Sequence, residues 1–534
     1  MGANRHAIYE EEWMAYVLEV NSSRNRKSWK DFISLVAIPA VVALCLGSTG
    51  GAAQANELTI GVPNAIPCLD PACNNSQYER SVKSQLHLAL TSVNQDEQLV
   101  PQLATSWENP APTEWVFTLR DGVTFENGTP ITAETVKANF DRYRDRSATA
   151  KIAGSWLADI QSSVASIEAI DDSTVKFTLT RPWTEFAARL ASLPIIDLTW
   201  VAEGNDATKG ANASGPYRLV SFDPTSAIVL EANPAYYGEP PAYSKVTYRV
   251  LTSPAARLTA AQAHEVDVVL ALDPQDLAAL KGDSALKVGA VESSRNYFIW
   301  YNTSRPPFDN QDIRLALNYA VNKAAITGSL MDGMTSPSKG QVLNEPYPGF
   351  NTDLKPFSFD KAKAKELLAS GGQPNGFKMT LSYPSGAYPG IDLIVQAVAA
   401  QLGDVGVNVD LQPMTLANWV SMLQGDASKA TDATVAALAP ADTQDVGMLK
   451  FFASSYTMNK SIDPKYDELF AALLKAETQE EHAKIVKELT QRQHDNAQLL
   501  FLFPTPLTYA INKSVDMKIP SNGMIRAYDA SPAK

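Results

Sequence analysis

The length of this chain rules out a fold built around a single hydrophobic core. The chain has 534 residues, whereas one core stops growing at ~250–300 residues. Hydrophobic residues make up 45% of it and charged residues 19%, which is typical of a globular protein and not of a disordered one. We therefore expect at least two folded domains.

The balance of charge excludes one class of partner. The chain carries 45 basic and 58 acidic side chains, a formal net charge of −13. Affinity for nucleic acid comes mainly from Lys and Arg side chains that neutralise phosphates. We therefore expect no nucleic acid partner.

The first 55 residues have the pattern of a secretory signal peptide. Basic residues from Arg24 to Lys30 precede an apolar run, Phe32–Gly47, and Ala53-Gln54-Ala55 follows as a cleavage site. The run has 16 residues, fewer than the ~20 needed to span a bilayer. The sequence predicts export with cleavage after Ala55. An uncleaved membrane anchor is the alternative.

The three cysteines fit an exported protein. Cys45 follows Leu44, whereas a lipoprotein signal places Gly, Ala or Ser there, so we do not expect lipid anchoring at Cys45. Cleavage leaves Cys68 and Cys73, an even number in an oxidising compartment, and we predict a disulfide between them. A metal site is the weaker alternative, because two thiols without a nearby His make half a site.

The mature chain alternates strand and helix patterns. Glu57–Val62 reads as a strand, and two alternating strands are predicted to meet in a hairpin at Asp121-Gly122. Thr132 is expected to cap a helix. In the second half we predict a longer series of elements, which comprises helices Asp312–Ala325 and Asp360–Ser370, a βαβ-like unit over 379–411 with its helix at Ile391–Leu402, and a buried strand Leu499–Phe503 before Pro504.

A search for catalytic motifs finds little. His264-Glu265 lacks the second His of a zinc protease motif, and no phosphate-binding glycine pattern occurs. Ser336 and Lys339 match S-x-x-K but lie among Pro and Gly, as in a loop. We expect no enzymatic activity, no cofactor and no metal.

A series of motifs occurs in an order that is specific to one protein family. They are LVPQLATSWE from Leu99, WVFTLRDGVTFENGTPITAETV from Trp115, SGPYRL from Ser214, NPAYYG from Asn233, EVDVV from Glu265, YNTSRPPFDNQDIRLALNYAVNK from Tyr301 and FSFDKAKAKELLASGG from Phe357. Over about residues 57–515 the chain resembles the family 5 extracellular solute-binding proteins of ABC importers, which include peptide, nickel and opine binders.

The resemblance implies an α/β fold of the periplasmic binding protein type. Two lobes would be joined by a hinge, with an extra subdomain on lobe I, and the ligand would be enclosed when the lobes close. The expected segments are 56–98, 212–298 and 503–534 for lobe I, 99–211 for the extra subdomain and 299–502 for lobe II. Strands at Tyr297–Asn302 and Leu499–Thr508 are predicted to cross between the lobes.

The resemblance also directs attention to two acidic residues, one that matches the family and one that departs from it. Asp442 matches an acidic residue that takes the amino group of a peptide in relatives, although the Gly and Trp before it are not kept; Asp445 is the near alternative. Asp392 stands where dipeptide binders place an Arg for the ligand carboxylate. An Asp would repel that carboxylate unless another Arg, such as Arg295, supplies the pairing. The alternative role for Asp392 is to cap its helix.

Other pocket candidates are aromatic or amide side chains. Tyr388, Trp419 and Tyr456 could wall the site, although core packing is the alternative for Trp419. Asn75, with Asn74 and Ser76, could donate hydrogen bonds from lobe I.

The resemblance therefore predicts a monomeric periplasmic protein that delivers a peptide-like or amine-bearing solute to the permease and ATPase complex of an ABC importer. An opine, a sugar conjugate or a polyamine is the alternative ligand. A secreted hydrolase and a chaperone or envelope sensor are the alternatives outside transport.

Overall fold

The computed structural model describes residues 56–534 except 74–75, 151, 153–156, 346, 348, 440–444 and 457. The predicted signal peptide, with Cys45, lies outside the described residues. Across the described part of the chain, no helix is both long enough and apolar enough to cross a membrane.

The described chain mixes strands and helices throughout. The strands are β1 (Glu57–Val62), β2 (Thr91–Val93), β3 (Leu99–Pro101), β4 (Ala104–Ala111), β5 (Glu114–Leu119), β6 (Val164–Ala169), β7 (Thr174–Leu179), β8 (Tyr217–Asp223), β9 (Ala227–Ala232), β10 (Lys245–Val250), β11 (Val268–Leu270), β12 (Leu286–Tyr301), β13 (Phe377–Pro384), β14 (Val407–Met414), β15 (Ala433–Leu438), β16 (Leu499–Asn512), β17 (Val515–Asp516) and β18 (Ser531–Pro532).

The helices lie between these strands. The α-helices are Gln77–Leu86, Ala133–Arg144, Arg146–Thr149, Ala158–Ser163, Phe186–Leu190, Leu198–Ala202, Pro254–Gln262, Pro274–Leu280, Gln311–Ala320, Lys323–Leu330, Lys361–Ser370, Ile391–Gly403, Leu416–Gln424, Asp445–Leu449, Pro464–Leu473 and Gln479–Asp495. Two 3-10 helices, Lys450–Phe452 and Ala527–Asp529, complete the described set.

One ten-stranded sheet organises the molecule. Its order is β14-β13-β15-β12-β16-β11-β1-β10-β9-β8. β12 and β16 are long antiparallel partners in its middle, and β12 also pairs with β15 while β16 pairs with β11. The predicted crossing segments lie in these two strands. Leu499–Thr508 lies entirely within β16, and Tyr297–Asn302 lies within β12 except for Asn302, which follows the strand. β12 and β16 therefore run through both halves of the sheet.

A second sheet, of order β4-β5-β7-β6, has its own core. Phe177 lies at its centre. The centroid of its ring lies 5.6 Å from that of Phe117, with an interplanar angle of 84°, and 5.0 Å from that of Phe140, with an interplanar angle of 88°. Edge-to-face pairs of this kind contribute ~0.5–1.5 kcal/mol each beyond the burial of their area. This core falls within the segment predicted as the extra subdomain, whose boundaries stay a prediction.

Several predicted elements form where the sequence placed them. β1 has the predicted bounds, and Asp360 caps the helix Lys361–Ser370 by accepting a hydrogen bond from Lys363 N at 2.9 Å. Thr132 caps its helix as well, through Thr135 N. The helix Ile391–Gly403 joins β13 to β14, and these strands pair in parallel. The predicted βαβ unit is confirmed.

Two predicted elements are wrong in detail. Asp121-Gly122 does not join two strands, because no regular strand follows it. The next residues bury Phe125 and form one isolated β-bridge, between Thr124 and Pro130. The helix from Gln311 ends at Ala320, since Asn322 caps a new helix through Ala325 N. The predicted buried strand Leu499–Phe503 is confirmed, and β16 continues past Pro504 through the predicted crossing segment. The missing N–H groups of Pro504 and Pro506 are tolerated because these prolines flank an irregularity in the pairing with β12.

Candidate functional site

A cavity of about 480 Å³ lies beside the middle of the large sheet. It opens at the carboxyl ends of three parallel neighbours, β1, β10 and β11, whose following residues Asn64, Thr252 and Ala271 line it. On the other side the lining comes from the residues that follow β13 and β15. Ligands of open α/β sheets bind outside the carboxyl ends of strands. This cavity is the candidate ligand site.

An irregularity in β12 aims a charged side chain at the cavity. The register of β12 against β16 shifts between Glu292 and Asn296, and bulges of this kind redirect side chains beside functional sites. Ser293 fixes the bulge by a hydrogen bond with Thr505 Oγ1 at 2.6 Å. Arg295 then points its half-buried guanidinium at the cavity and donates from Nη1 to Ala437 O at 2.7 Å.

Arg257 is held rigidly at the opposite wall. Its Nε donates to Ala271 O at 3.0 Å, and its Nη1 donates to Leu251 O and Thr252 O, both at 2.9 Å. The residue is 6% exposed, and burial lowers the pKa of the guanidinium. Because three backbone carbonyls accept hydrogen bonds from its Nε and Nη1, the guanidinium of Arg257 is fixed at the cavity wall.

The N-terminal helix Gln77–Leu86 supplies a third arginine and a tyrosine. Ser76 caps the helix by accepting from Glu79 N, which brings Tyr78 and Arg80 to the cavity wall. Burial raises the pKa of Tyr78 to about 12, although Arg257 and Arg295 nearby oppose the shift. The phenol is therefore a neutral hydrogen-bonding group at neutral pH.

Asp273 is the acidic member of the described lining. It precedes the helix Pro274–Leu280 but accepts no capping hydrogen bond from it, unlike Asp145, Asp197, Asp360 and Asp463 at their helices. Burial raises the pKa of its carboxyl group, as does the neighbouring Asp276, while Arg257 acts against the shift. Against Asp273 stand Arg80, Arg257 and Arg295, so the described lining is net positive.

A loop near the end of the chain closes one side of the cavity. Ser521 and Asn522 line it, and the carboxylate of Glu97 holds both by accepting from Ser521 Oγ at 2.7 Å and Asn522 N at 2.9 Å. Ser294 N in turn donates to Ser521 O at 3.0 Å. The hydrogen bonds of Glu97 and Ser294 thereby hold Ser521 and Asn522 at the cavity wall.

The predicted site residues have different fates. Tyr388 lines the cavity, and its ring lies 5.5 Å from the Arg295 Cζ atom. Asp392 is not in the lining: Ser385 Oγ donates to its Oδ1 at 2.6 Å and Gly386 N to its Oδ2 at 3.0 Å. These contacts favour a local role near the start of its helix over the predicted ligand contact.

Two aromatic candidates pack away from the cavity. Trp419 is 3% exposed within a hydrophobic core, and its Nε1 donates to Thr434 Oγ1 at 2.6 Å. Tyr456 packs on Phe451 with ring centroids 4.9 Å apart. Asn74, Asn75 and Asp442 lie outside the described residues, as does the side chain of Asp445. Among the described residues, no group of three or more His, Cys, Asp or Glu is arranged to hold a metal ion.

Cys68 and Cys73 are joined by a disulfide, with Cα atoms 6.3 Å apart. The bridge lies between β1 and the helix Gln77–Leu86, both of which lead to the cavity wall. It therefore belongs to the support of the site and not to its lining.

Comparison with known proteins identifies the family of the chain. A family model described as bacterial extracellular solute-binding proteins, family 5 (middle part), matches residues 98–460. The glutathione-binding protein GsiB of Shigella dysenteriae serotype 1 is 27% identical over 401 residues, which covers 74% of this chain and 76% of that protein.

Two solved structures show the same fold. The structure of HbpA2 from Haemophilus parasuis is 22% identical with a TM-score of 0.79, and covers 90% of this chain and 100% of that one. The periplasmic binding protein AgaA from A. tumefaciens R10, in complex with agropinic acid, is 24% identical with a TM-score of 0.72, and covers 90% of this chain and 99% of that one. The predicted fold of the periplasmic binding protein type is confirmed.

Proposed function

The chain belongs to family 5 of the bacterial extracellular solute-binding proteins, which serve ABC importers, and we propose that its ligand is a small peptide-like solute with at least one carboxylate. The predicted family and its substrate-binding role are confirmed. Members of the family are periplasmic binding proteins. The ligand itself is the subject of the proposal.

The observation that carries the proposal is the charge of the cavity. Arg80, Arg257 and Arg295 face it, against one described carboxylate, Asp273. A guanidinium matches a carboxylate with two parallel N–H···O bonds, and the attraction strengthens away from bulk water. A volume of about 480 Å³ also lies in the range of ~300–1,000 Å³ typical of small-molecule sites. Asp273 would suit an ammonium group on the same solute.

The charge of the cavity differs from the one predicted from the sequence. Asp392 and Asp442 together suggested a cleft suited to cationic or neutral ligands. The carboxylate of Asp392 accepts hydrogen bonds from Ser385 and Gly386, and Arg295 lines the cavity, where it would pair with a ligand carboxylate. A polyamine is disfavoured, because three guanidinium groups would repel it.

The named relatives support a carboxylate-bearing ligand. GsiB is a glutathione-binding protein, and glutathione is a peptide with two carboxylates. AgaA was solved with agropinic acid, an opine acid. A carboxylated opine is accordingly the second candidate, favoured by the same three arginines.

Binding measurements decide between these candidates. The mature protein is screened by thermal shift and titration calorimetry against glutathione, dipeptides, agropinic acid, spermidine and a neutral sugar. A ligand at 100 times its dissociation constant adds ~2.7 kcal/mol to the free energy of unfolding. We expect a shift from at least one carboxylate-bearing solute and none when its carboxylates are converted to amides. A shift from spermidine alone would refute the proposal.

We further propose that the protein binds without chemical turnover, as a monomer whose lobes close around the solute. The lobes are those predicted above, with β12 and β16 as the connection. Recovery of the ligand unchanged after release tests the first part, and small-angle scattering with and without ligand tests the second. Export with cleavage after Ala55 stays a prediction that N-terminal sequencing of the mature protein decides.

A further inference from the structure

One short loop connects the cavity to Asp392. This pocket loop, residues 385–390, follows β13 and leads into the helix Ile391–Gly403. Its residues from Gly386 to Pro389 line the cavity. Gly386 and Gly390 have φ values of 68° and 69°, a conformation that favours glycine. Because glycine has access to many backbone conformations, the loop needs contacts with its surroundings to hold this one.

Asp392 supplies the main side-chain tether of the first half of the loop. Both of its carboxylate oxygens accept hydrogen bonds from the loop, one from the Ser385 hydroxyl and one from the Gly386 N–H. Hydrogen bonds to an ionised acceptor are roughly twice as strong as neutral ones. The backbone adds one bond to a neighbouring strand, from Ser385 N to Met414 O at 3.0 Å.

The second half of the loop is tied to β12. The buried Tyr297 hydroxyl donates to Pro389 O at 2.8 Å. Between the two tethers stands Tyr388, whose ring packs edge-on against Tyr297 with centroids 6.3 Å apart and lies 5.5 Å from the Arg295 Cζ atom. The position of this ring over the guanidinium depends on both ends of the loop.

We propose that Asp392 is a positioning residue: it fixes the pocket loop so that Tyr388 covers Arg295 and selects the solutes that reach that guanidinium. The inference rests on the proposed function only in that Arg295 is taken to bind a carboxylate of the ligand. The control of loop conformation by Asp392 rests on the contacts alone. An aromatic ring over a guanidinium leaves the edge of the planar group available, where a carboxylate binds.

Hydrogen exchange of the ligand-free protein tests the control of the loop. In Asp392→Ala, the amides of residues 385–388 and of Gly390 should exchange about tenfold faster, as expected when ~1.4 kcal/mol of stabilising contacts is lost. Asp392→Asn should give a smaller increase, because its one oxygen still accepts from Ser385. Ser385→Ala should also accelerate exchange, which keeps the test available if Asp392→Ala folds poorly.

Gln396→Ala is the matched control, because Gln396 is exposed on the same helix. It should leave exchange of the pocket loop unchanged. Equal acceleration in Gln396→Ala and Asp392→Ala, or acceleration along the whole helix Ile391–Gly403, would mean that Asp392 only stabilises its helix, and the proposal would fail. Unchanged loop exchange in both Asp392→Ala and Ser385→Ala would also overturn it.

A double-mutant cycle with glutathione as the probe tests the route through Tyr388. Asp392→Ala should weaken glutathione binding about tenfold in the natural background and less than twofold in Tyr388→Ala. An equal loss in both backgrounds would refute the route through Tyr388. If the unmodified protein does not bind glutathione, that result counts against the peptide-like ligand of the proposed function, and the exchange measurement still decides the role of Asp392.

Discussion

Asp70 and Arg142 form an ion pair between the disulfide loop and the helix Ala133–Arg144, in which Asp70 is buried and Arg142 partly buried. Arg142 Nη1 donates to Asp70 Oδ1 at 3.2 Å, and Nη2 donates to Oδ2. The side chain of Asp70 is 3% exposed and that of Arg142 is 17% exposed. Asp70 Oδ1 also accepts from Ala72 N at 2.9 Å, inside the loop that Cys68 and Cys73 close.

Removing the carboxylate should therefore be costly. Asp70→Ala leaves the guanidinium of Arg142 without its counter-charge, and breaking a buried pair in this way costs ~3–5 kcal/mol. We expect a loss of about 3 kcal/mol in the free energy of unfolding, measured by urea denaturation followed by circular dichroism. Glu57→Gln is the control, since Glu57 and Lys245 form an exposed pair that contributes ~0–1 kcal/mol. Equal losses in the two variants would contradict the prediction.

The disulfide should contribute less than this ion pair. Cys68 and Cys73 are five residues apart, and the chain-entropy model assigns about 2 kcal/mol to so short a loop. Cys68→Ser combined with Cys73→Ser should lower the free energy of unfolding by that amount. Adding Asp70→Ala should then cost less than it does in the disulfide-bonded protein, because the open loop no longer holds Asp70 in place. Strict additivity would show that the loop does not position Asp70.

His87 should make the protein sensitive to acid. Burial lowers its pKa to about 4 from an ordinary 6.5. Its Nδ1 is buried without a hydrogen-bond partner among the described residues. The unfolded chain binds a proton in the window between these values and the folded chain does not, so stability falls as the pH drops from 6.5 towards 4, by up to about 3 kcal/mol.

His87→Leu removes this contribution. The variant should lose about 3 kcal/mol less than the unmodified protein between pH 6.5 and pH 4, as measured by denaturation at both pH values. Parallel loss of stability in the two proteins would show that His87 is already charged in the folded state or does not titrate in this window.

Arg295 should discriminate ligands by their carboxylates. A hydrogen bond to a charged group contributes ~1.5–3 kcal/mol, so Arg295→Gln should weaken glutathione binding by at least about tenfold in calorimetry. The loss should shrink for the glutathione diamide. Arg249→Gln is the control, because Arg249 is exposed and paired with Glu265 away from the cavity. Equal affinity of Arg295→Gln and the unmodified protein would remove Arg295 from the site.

The fold could be predicted where a surface pattern reveals burial on one face. β1 and the helices from Lys361 and Ile391 have such patterns and were found. The helix Gln77–Leu86 was not predicted, because it is buried on nearly all sides. Even its charged residues Glu79 and Lys83 are buried, as an ion pair, so its polar residues do not mark a face exposed to solvent. The signal that was available is its cap, Ser76 followed three residues later by Glu79.

The site could be predicted only in part, because its charges come together through strand pairing. Arg80, Arg257 and Asp273 belong to segments that meet only when β1 pairs in parallel with β10 and β11. Tyr388 could be predicted because flat amphipathic rings commonly wall small-molecule sites. The family resemblance placed Asp392 near the site, but its contacts are set by Ser385 and Gly386, which no spacing along the chain reveals.

The position of β16 in the sheet has a consequence for how the chain folds during synthesis. β16 lies between β12 and β11, yet it is formed by residues 499–512. Until that segment leaves the ribosome, β11 and β12 each keep an unpaired edge, and pairings so distant along the chain form slowly. The large sheet is therefore completed only after nearly all of the chain has been made. Until then the polypeptide stays in an incompletely folded state that can still be threaded through a membrane, and its open edges require protection from aggregation.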